Sequence, residues 1–316
     1  MDLHRRAFLA GTGMATALSA LGWSVGQLRA EGLVAARRYK VGSATVHVLS
    51  DGHLALGPEM LFGVTPEEFA TLLEQAHLAP DAHPTAVNAF LIEIGDRRIL
   101  VDAGTGELFG PTLGKLPDVM SALGIDPASI DTVVFTHLHG DHIGGTVSPS
   151  GNLFVNAGLR VASADIDFWT SEEMQAQAPD AFKPAFDLAR GALAGFGDRI
   201  ETFGATETDI APGLTTMPLP GHTVGHTGLL LERDGSSLLI AADIMHVPAV
   251  QLAMPSVTIG FDTDQDMARA TRMRVMDMVS TDGLLMGGSH IALPGLGYVE
   301  ARGEGYRWTP ARHQYG

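Results

Sequence analysis

The sequence of 316 residues has no cysteine, few aromatic residues and a shortage of positive charge. Without cysteine the chain can form no disulfide and can offer no thiolate to a metal ion. Lys and Arg number 20 against 36 Asp and Glu, which gives a formal net charge of −16. Because such a surface repels polyanions, the composition argues against a nucleic-acid partner. Any metal must be bound by imidazole and carboxylate groups.

Long hydrophobic runs are also absent at the N-terminus. The apolar stretch from Ala7 to about Gly22 is too short and too weakly apolar for a membrane span. The segment His4-Arg5-Arg6-Ala7-Phe8-Leu9 resembles a twin-arginine export signal. We therefore predict that residues 1–30 are an export signal, that the twin-arginine export machinery is a partner, and that the mature protein is periplasmic. An uncleaved N-terminal anchor is the alternative.

What the sequence does contain is a short segment rich in metal ligands, Thr136-His137-Leu138-His139-Gly140-Asp141-His142-Ile143-Gly144-Gly145. The apolar residues 131–135 precede it and predict a short buried strand. Imidazole and carboxylate are typical zinc ligands, so the segment predicts a metal-binding loop at a strand end. His137 and His139 can converge on one ion, whereas Asp141 and His142 more naturally face a second.

The H-x-H-x-D-H pattern after an apolar strand resembles the metallo-β-lactamase superfamily. Further marks of that superfamily are a His, an Asp and a last His downstream, each after a strand. The sequence has His222 in Gly221-His222-Thr223, Asp243 after residues 238–242, and His290 after residues 284–289. Other segments resemble the branch that contains methyl parathion hydrolase and related di-metal lactonases, namely residues 50–52, 101–104, 108–114, 255–258 and 303–307.

This resemblance implies two divalent ions per chain, most readily Zn²⁺, with Mn²⁺, Fe²⁺ or Co²⁺ as alternatives. His137, His139 and His222 would hold one ion, Asp141, His142 and His290 the other, and Asp243 would bridge them. A hydroxide between the ions would be the nucleophile that opens lactones or cleaves aryl ester or phosphotriester bonds. Asp141 and Asp243 are accordingly the candidate catalytic residues.

Two further residues are expected to support the ligands by hydrogen bonds, Asp102 and His226. For Asp102 the alternative is a turn residue before Gly104. His246 can either line the pocket or face the core. An apolar substrate pocket is expected beside the ions, and the aromatic and aliphatic residues that resemble pocket-lining positions of the family, each of which could equally be core, are Phe109, Trp169, Phe186 and Leu252.

The fold class expected from the resemblance is α+β, an αββα sandwich in which two central mixed sheets lie between outer helices. Residues 31–316 would form this single domain. Thr65-Pro66-Glu67-Glu68 predicts a helix start, residues 264–279 a long helix, and residues 95–97 and 233–235 two hairpin turns.

The expected partner is a small-molecule ester, lactone or phosphotriester, and the family resemblance also allows a homodimer. Two other functions stay open at this point. The protein could be a β-lactam hydrolase, although its ligand pattern differs from that of common zinc β-lactamases. It could also be a non-catalytic periplasmic metal-binding protein.

Overall fold

Two seven-stranded sheets form the centre of the fold. The computed structural model describes residues 35–147 and 151–312, so the predicted export signal lies outside the described residues. The strands of the described residues are β1 (Ala36–Val41), β2 (Ala44–Leu56), β3 (Leu61–Phe62), β4 (His83–Ile94), β5 (Arg97–Val101), β6 (Thr132–Val134), β7 (Gly158–Ala162), β8 (Ile200–Phe203), β9 (Asp209–Ala211), β10 (Leu214–Pro218), β11 (Thr227–Arg233), β12 (Ser236–Ile240), β13 (Thr258–Ile259), β14 (Leu285–Gly287), β15 (Leu296–Arg302) and β16 (Gly305–Pro310).

Both large sheets are mixed. The first has the order β1-β2-β4-β5-β6-β7-β8, and its strands from β5 to β8 pair in parallel. The second has the order β16-β15-β14-β12-β11-β10-β9, with one parallel pair, β12 and β14. The predicted hairpins are confirmed, since Ile94 pairs with Arg97 and Arg233 with Ser236. The turns contain Gly95 at φ 59° and Gly235 at φ 76°, as tight hairpin turns require.

The described residues also form helices. They are α1 (Pro66–Gln75), α2 (Leu116–Ala122), α3 (Gly140–Ile143), α4 (Ser163–Thr170), α5 (Glu172–Gln177), α6 (Lys183–Ala194), α7 (Pro248–Gln251) and α8 (Gln265–Asp282). None of them is both long enough and apolar enough to cross a bilayer. The two sheets share one buried cluster that includes Phe90 and Ile240. On the other face of the second sheet, Leu239 packs against Val275 and Met276 of α8. The predicted αββα sandwich is confirmed.

Local sequence signals explain where two of these helices begin. Thr65 caps α1, because its hydroxyl accepts from the N–H of Glu68 at 3.2 Å while the Glu68 carboxylate accepts from the Thr65 N–H at 2.9 Å. Asp264 caps α8 in the same position, and Gly283 ends that helix at φ 60°. Both predicted helices are therefore confirmed, α8 with an extra turn at its end.

The strand directions explain why the metal-ligand residues meet. β10, β12 and β14 run in the same direction, so their carboxyl ends lie at one edge of the second sheet. His222, Asp243 and His290 follow these three strands. β5 and β6 are likewise parallel, and Asp102 and the histidine-rich segment follow them. Loops at one end of the sandwich therefore carry every predicted metal ligand.

Candidate metal centre

Three imidazole nitrogens from two distant loops of the chain converge on one point. His139 Nδ1 lies 3.1 Å from His137 Nε2 and 2.9 Å from His222 Nε2. Ligands bound at about 2.05 Å to a tetrahedral zinc ion are about 3.3 Å apart. The observed separations are close to this spacing. The His137, His139 and His222 side chains can therefore form one ion site.

A second group adjoins the first and contains Asp141, His142, Asp243 and His290, whose ligand atoms lie within 4.8 Å of one another. Asp243, a member of this second group, also lies beside the first. Its Oδ2 is 2.9 Å from His290 Nε2 and 3.3 Å from His222 Nε2, and its Oδ1 is 3.3 Å from His142 Nε2. The structure thus brings all seven predicted ligand side chains together, while their binding of two ions stays a prediction.

The chemistry of the second group fits a divalent ion. His142 Nε2 and Asp243 Oδ1 are buried and make no hydrogen bond to any described residue. A buried polar atom without a partner is costly, about 1–3 kcal/mol. An ion held between this imidazole and this carboxylate would satisfy both atoms. The donor set therefore fits the metal ions that the fold implies.

The outer ring nitrogens fix which nitrogen of each histidine faces the centre. Three of the Nδ1 atoms donate to an acceptor behind the ring, namely His142 to Asp102 Oδ2 at 2.8 Å, His222 to Asp262 Oδ1 at 2.8 Å and His290 to Ala86 O at 2.7 Å. A proton at Nδ1 leaves the lone pair of a neutral ring at Nε2. In all three residues Nε2 is the atom that faces the ligand groups.

Asp102 lies behind both ligand groups. Its Oδ2 accepts from His142 Nδ1 and, at 2.9 Å, from the Thr136 hydroxyl. Since the Thr136 hydroxyl hydrogen is donated to Asp102, the Thr136 hydroxyl oxygen accepts a hydrogen bond from His137 Nδ1, 3.0 Å away. The carboxylate therefore orients one ring in each group, which is more than a turn residue before Gly104 would do.

His226 holds the backbone of Asp243. Its Nδ1 donates to Leu219 O at 2.8 Å, and its Nε2 accepts from the Asp243 N–H at 3.1 Å. Burial lowers the pKa of His226 to about 3, so the ring is neutral at physiological pH. With both nitrogens occupied, His226 has no lone pair left for a metal ion, in line with the supporting role predicted for it.

Burial and nearby carboxylates act in opposite directions on the protonation of the cluster. Burial lowers the pKa of His137 well below its ordinary value. At His222 burial acts the same way, but hydrogen bonds to Asp243 and Asp262 outweigh it and raise the pKa to about 9. At His142 burial is again outweighed, with Asp243 the largest opposing influence, and the pKa rises well above its ordinary value. The metal-free cluster therefore holds protons that a metal ion must displace.

A buried aspartate that sequence reasoning missed joins the two histidine loops. Asp165, in the first turn of α4, accepts at Oδ2 from the Leu138 N–H and the Thr223 hydroxyl, both at 3.0 Å. Its Oδ1 accepts from the Gly225 N–H at 2.7 Å. No sequence signal distinguishes this residue, because an acid in the first turn of a helix is common. Only the fold shows that it spans the loops that present His137, His139 and His222.

Asp262 and Arg272 were missed as well. Asp262 accepts from His222 at one oxygen and from the Ile259 N–H, at 3.1 Å, at the other. Arg272 is 1% exposed, donates from Nε to Ile244 O at 2.7 Å and lies 3.9 Å from Asp262. Here a signal existed, because position 272 falls on the apolar stripe of the predicted helix, where a charged residue needs a buried partner.

His246 is placed beside the cluster rather than in a separate core. Its Nε2 is 3.2 Å from Asp243 Oδ2, and its ring stacks on His290 at a centroid distance of 4.6 Å. Burial lowers its pKa to about 4, so the ring is neutral. With His222 and Asp243 it forms a further group close enough to hold an ion. Gln251 fixes the loop by accepting from the His246 N–H at 2.7 Å.

Aromatic side chains lie against one side of the histidines. The Trp169 ring is 5.3 Å from His139, edge to face, and 4.9 Å from Phe186. Phe109 lies against the metal-binding loop and is 53% exposed. Leu252 instead belongs to the hydrophobic cluster between the second sheet and α8. Trp169 and Phe109 therefore lie against the metal loop, Phe186 packs behind Trp169, and Leu252 lies in the core.

The sequence pattern of the metallo-beta-lactamase superfamily matches residues 83–277 of the chain. This range is more than half of the sequence and includes six of the seven candidate ligands. The chain belongs to this superfamily of hydrolases. The resemblance inferred from the histidine motif is thereby confirmed, as is the prediction of a metallo-β-lactamase-type enzyme.

Similar structures agree with this membership. The solved structure of AbOPH, a hydrolase in the beta lactamase superfamily, has a TM-score of 0.85 and 26% identity, covering 90% of this chain and 100% of that one. AidC, titled a dizinc quorum-quenching lactonase, has a TM-score of 0.83 and 22% identity at the same coverage. The second likeness shows the fold alone.

Among curated relatives, an N-acyl homoserine lactonase of Bacillus sp is 22% identical, over 60% of this chain and 75% of its own length. A beta-lactamase-like protein 2 homolog of Drosophila melanogaster is 38% identical, but the chain spans only 24% of its length. These matches leave parts of the relatives' own length uncovered.

Proposed function

We propose that the protein is a di-metal hydrolase that opens lactones or cleaves aryl ester or phosphotriester bonds. The observation that carries the proposal is the position of Asp243. One oxygen lies near His290 and His222, and the other lies near His142, so a single carboxylate contacts residues of both ligand groups. Two bound divalent ions, Zn²⁺ in the first instance, would supply an activated water nucleophile and polarise the oxygen of the scissile group.

The residues of the chain have distinct parts in this reaction. Asp102, His226 and Asp262 orient ligands and are too deeply buried to meet a substrate. Asp141 is the more exposed carboxylate of the centre, with 19% of its side chain exposed against 2% for Asp243. We assign to Asp141 the movement of a proton between the reacting groups and solvent, and to Asp243 the bridging of the ions.

The substrate class follows from the surroundings of the cluster. Trp169 and Phe186 give one side of the centre an apolar, aromatic character, which suits an acyl or aryl group. The net charge of −16 disfavours polyanions. The lactonase relatives add support for a lactone or ester as the physiological substrate. β-Lactam hydrolysis and metal binding without catalysis are the competing outcomes.

The location belongs to the same proposal. A twin-arginine system exports folded proteins, which suits a protein that acquires its metal ions before export. The segment His4-Arg5-Arg6 therefore supports a periplasmic hydrolase. A fluorescent fusion of the full chain should localise to the periplasm, and conversion of both arginines to lysine should retain it in the cytoplasm. A homodimer stays a prediction. A molar mass measured by light scattering would distinguish a dimer from a monomer.

A substrate panel on metal-quantified protein tests the function. It contains acyl-homoserine lactones, aryl esters, methyl parathion and the β-lactam nitrocefin. We expect turnover of lactones or esters, loss of turnover on chelation, and recovery to differing degrees with Zn²⁺, Mn²⁺ or Co²⁺. Nitrocefin turnover comparable with lactone turnover would favour the β-lactamase alternative. Two bound ions without hydrolysis of any compound would favour a metal-binding protein.

The ligand assignment has its own variants. Asp243→Ala should lower metal content at both positions because this carboxylate contacts both groups, whereas His137→Ala should remove chiefly one ion. His47→Ala is the matched control, since His47 pairs with Glu93 on the first sheet, 3.1 Å away, and takes no part in the cluster. If Asp243→Ala kept two ions per chain by mass spectrometry of metals, the bridging assignment would be wrong.

A further inference from the structure

The backbone of the loop that follows β5 packs directly against two glycines of the metal-binding loop. A Cβ atom added at Gly144 would lie 2.2 Å from Thr105 O, and one added at Gly145 would lie 1.9 Å from Ala103 O. Both contacts are with backbone atoms, which cannot move aside cheaply. These two glycines therefore fix how closely the loop approaches α3.

Gly140 differs from these two because its neighbours are side-chain tips. A Cβ atom at Gly140 would lie 2.9 Å from Phe109 Cζ and 3.1 Å from Leu188 Cδ2. The φ of Gly140 lies outside the left-handed region, and the residue opens the short helix α3. The backbone there does not require glycine, and alanine is the better helix former by about 1 kcal/mol. What glycine provides at this position is space.

That space adjoins the backbone that carries ligands of both groups. Gly140 stands between His139 of one ligand group and Asp141 of the other. The ring tip of Phe109, on the loop after β5, lies beside Gly140 and the residue is 53% exposed, so the ring lies at the surface next to the segment that carries His139 and Asp141. The position of this ring therefore affects how much room a substrate has beside the ligands.

We propose that Gly140 is a specificity-determining residue, because its missing side chain lets the Phe109 ring lie on the metal-binding loop and narrow the substrate side of the centre. This inference rests on the proposed hydrolase function, which it refines. A methyl group at position 140 displaces the ring outward, because a half-exposed aromatic tip moves more easily than backbone. The centre then admits longer or bulkier acyl groups.

The test is a double-mutant cycle of Gly140→Ala and Phe109→Ala on metal-loaded protein. The readout is the ratio of kcat/KM for p-nitrophenyl decanoate to that for p-nitrophenyl acetate. Gly140→Ala should raise this ratio by about three- to tenfold, the scale of a small change in an apolar pocket. In the Phe109→Ala background it should add nothing, since the ring to be displaced is gone.

Gly204→Ala is the matched control. Gly204 is exposed, its φ also lies outside the left-handed region, and an added Cβ would have no atom within 4 Å. This variant should leave the ratio unchanged. Metal content of Gly140→Ala should equal that of the unmodified protein, because neither Phe109 nor Gly140 offers a ligand atom. An unchanged ratio in active Gly140→Ala, or an equal change in both Phe109 backgrounds, overturns the proposal.

A second measurement does not depend on hydrolysis. The indole introduced by Phe109→Trp should become more accessible to acrylamide when Gly140→Ala is added, whereas Gly204→Ala should have no effect on quenching. If the substrate panel shows no hydrolysis, the proposed function fails. A difference in acrylamide quenching between Phe109→Trp and Phe109→Trp with Gly140→Ala would still support the packing of the residue 109 ring on Gly140. Active enzyme with equal quenching would leave the function intact and overturn the role of Gly140.

Discussion

Two residues of the metal centre adopt left-handed backbone conformations although neither is glycine. Asp102 has φ 61° and Ala242 has φ 45°. Asp tolerates this region better than Ala, whose Cβ crowds the following carbonyl at a cost of about 1–2 kcal/mol. Ala242 precedes Asp243 directly, and the Ser289 N–H donates to the Ala242 carbonyl at 3.1 Å. The strain is thus stored where the backbone turns to present the shared carboxylate.

This strain predicts an asymmetry between neighbouring alanines. Ala241 and Ala242 are both fully buried, but Ala241 has φ −93°. Replacement by glycine removes a methyl group and raises the conformational entropy of the unfolded chain in both cases, which together cost about 1.2–1.8 kcal/mol. Only at Ala242 does it also relieve strain. Urea unfolding of metal-loaded protein should therefore show Ala242→Gly to be about 1–2 kcal/mol more stable than Ala241→Gly. Equal losses would show that the φ of Ala242 carries no strain.

Among the helices, α4 contributes to the centre without supplying a metal ligand. Asp165 accepts three hydrogen bonds, from Leu138, Thr223 and Gly225, and these donors lie in two different histidine loops. Burial raises the pKa of Asp165, and the hydrogen bonds oppose this rise. The distances that separate His222 from His137 and His139 therefore depend on one buried carboxylate. This carboxylate makes no hydrogen bond to any of the three histidines.

Asp165→Asn should loosen the first ligand group. An amide has one oxygen in place of two and places an NH₂ group opposite an N–H or hydroxyl donor, which leaves buried donors unpaired. We expect a loss of about 2–3 kcal/mol in the free energy of unfolding. The affinity for the ion held by His137, His139 and His222 should fall by about 10–100-fold, as for other residues that support metal ligands. A chelator competition titration measures this.

Thr223→Val is the graded comparison for this element. It keeps the shape of the side chain and removes only the hydroxyl donor to Asp165, so the loss of stability should be about 1 kcal/mol. If Thr223→Val and Asp165→Asn were equally destabilising, the carboxylate would act through Thr223 alone. The proposed link between the two loops would then be contradicted.

What could be predicted at this scale depended on how local the signal was. The capping box at Thr65 and the hairpin glycine Gly235 each specify structure within four residues, so their elements were located closely. The metal loop was equally clear, because His137, His139 and His142 stand together in the sequence. Asp165 could not be found in this way, since its partners are 27 to 60 positions away and its own helix looks ordinary.

At the scale of the molecule, the sandwich brings ligand loops of both sheets to one end. The Thr227 N–H donates to Thr136 O at 2.9 Å, and the Asn88 N–H donates to Ser289 O at 2.9 Å, so each ligand loop is tied to the opposite sheet. The family resemblance supplied the identity of His222, Asp243 and His290. Residue patterns alone identified only the histidine-rich loop. No local sequence signal indicates that this loop lies beside strands about a hundred positions later.

The whole metal-free centre is a proton-binding site, and this predicts how metal and pH jointly set stability. Hydrogen bonds to Asp243 and Asp262 raise the pKa of His222 to about 9 against burial, compared with about 6.5 in an unfolded chain. The protonated ring therefore stabilises the metal-free fold fully below about pH 6.5, and this contribution is lost as pH rises through about 9. A bound ion needs the neutral ring, so its stabilising effect grows over the same range.

As pH rises, the metal-free fold loses stability and the stabilisation by a bound ion grows. The difference in Tm between metal-loaded and chelated protein should therefore widen from about pH 6 to pH 9. For one group, proton competition changes the apparent metal affinity about tenfold per pH unit below the pKa. Calorimetry in two buffers of different ionisation enthalpy should detect proton release on Zn²⁺ binding at neutral pH. Asp262→Asn removes the negative charge behind the His222 ring, one of the influences that raise the pKa of His222, so it should flatten the pH dependence and lessen the proton release. A Tm difference that stays constant or narrows with rising pH would mean that the metal-free histidines are already neutral, and that the carboxylates around them do not set the competition between proton and metal.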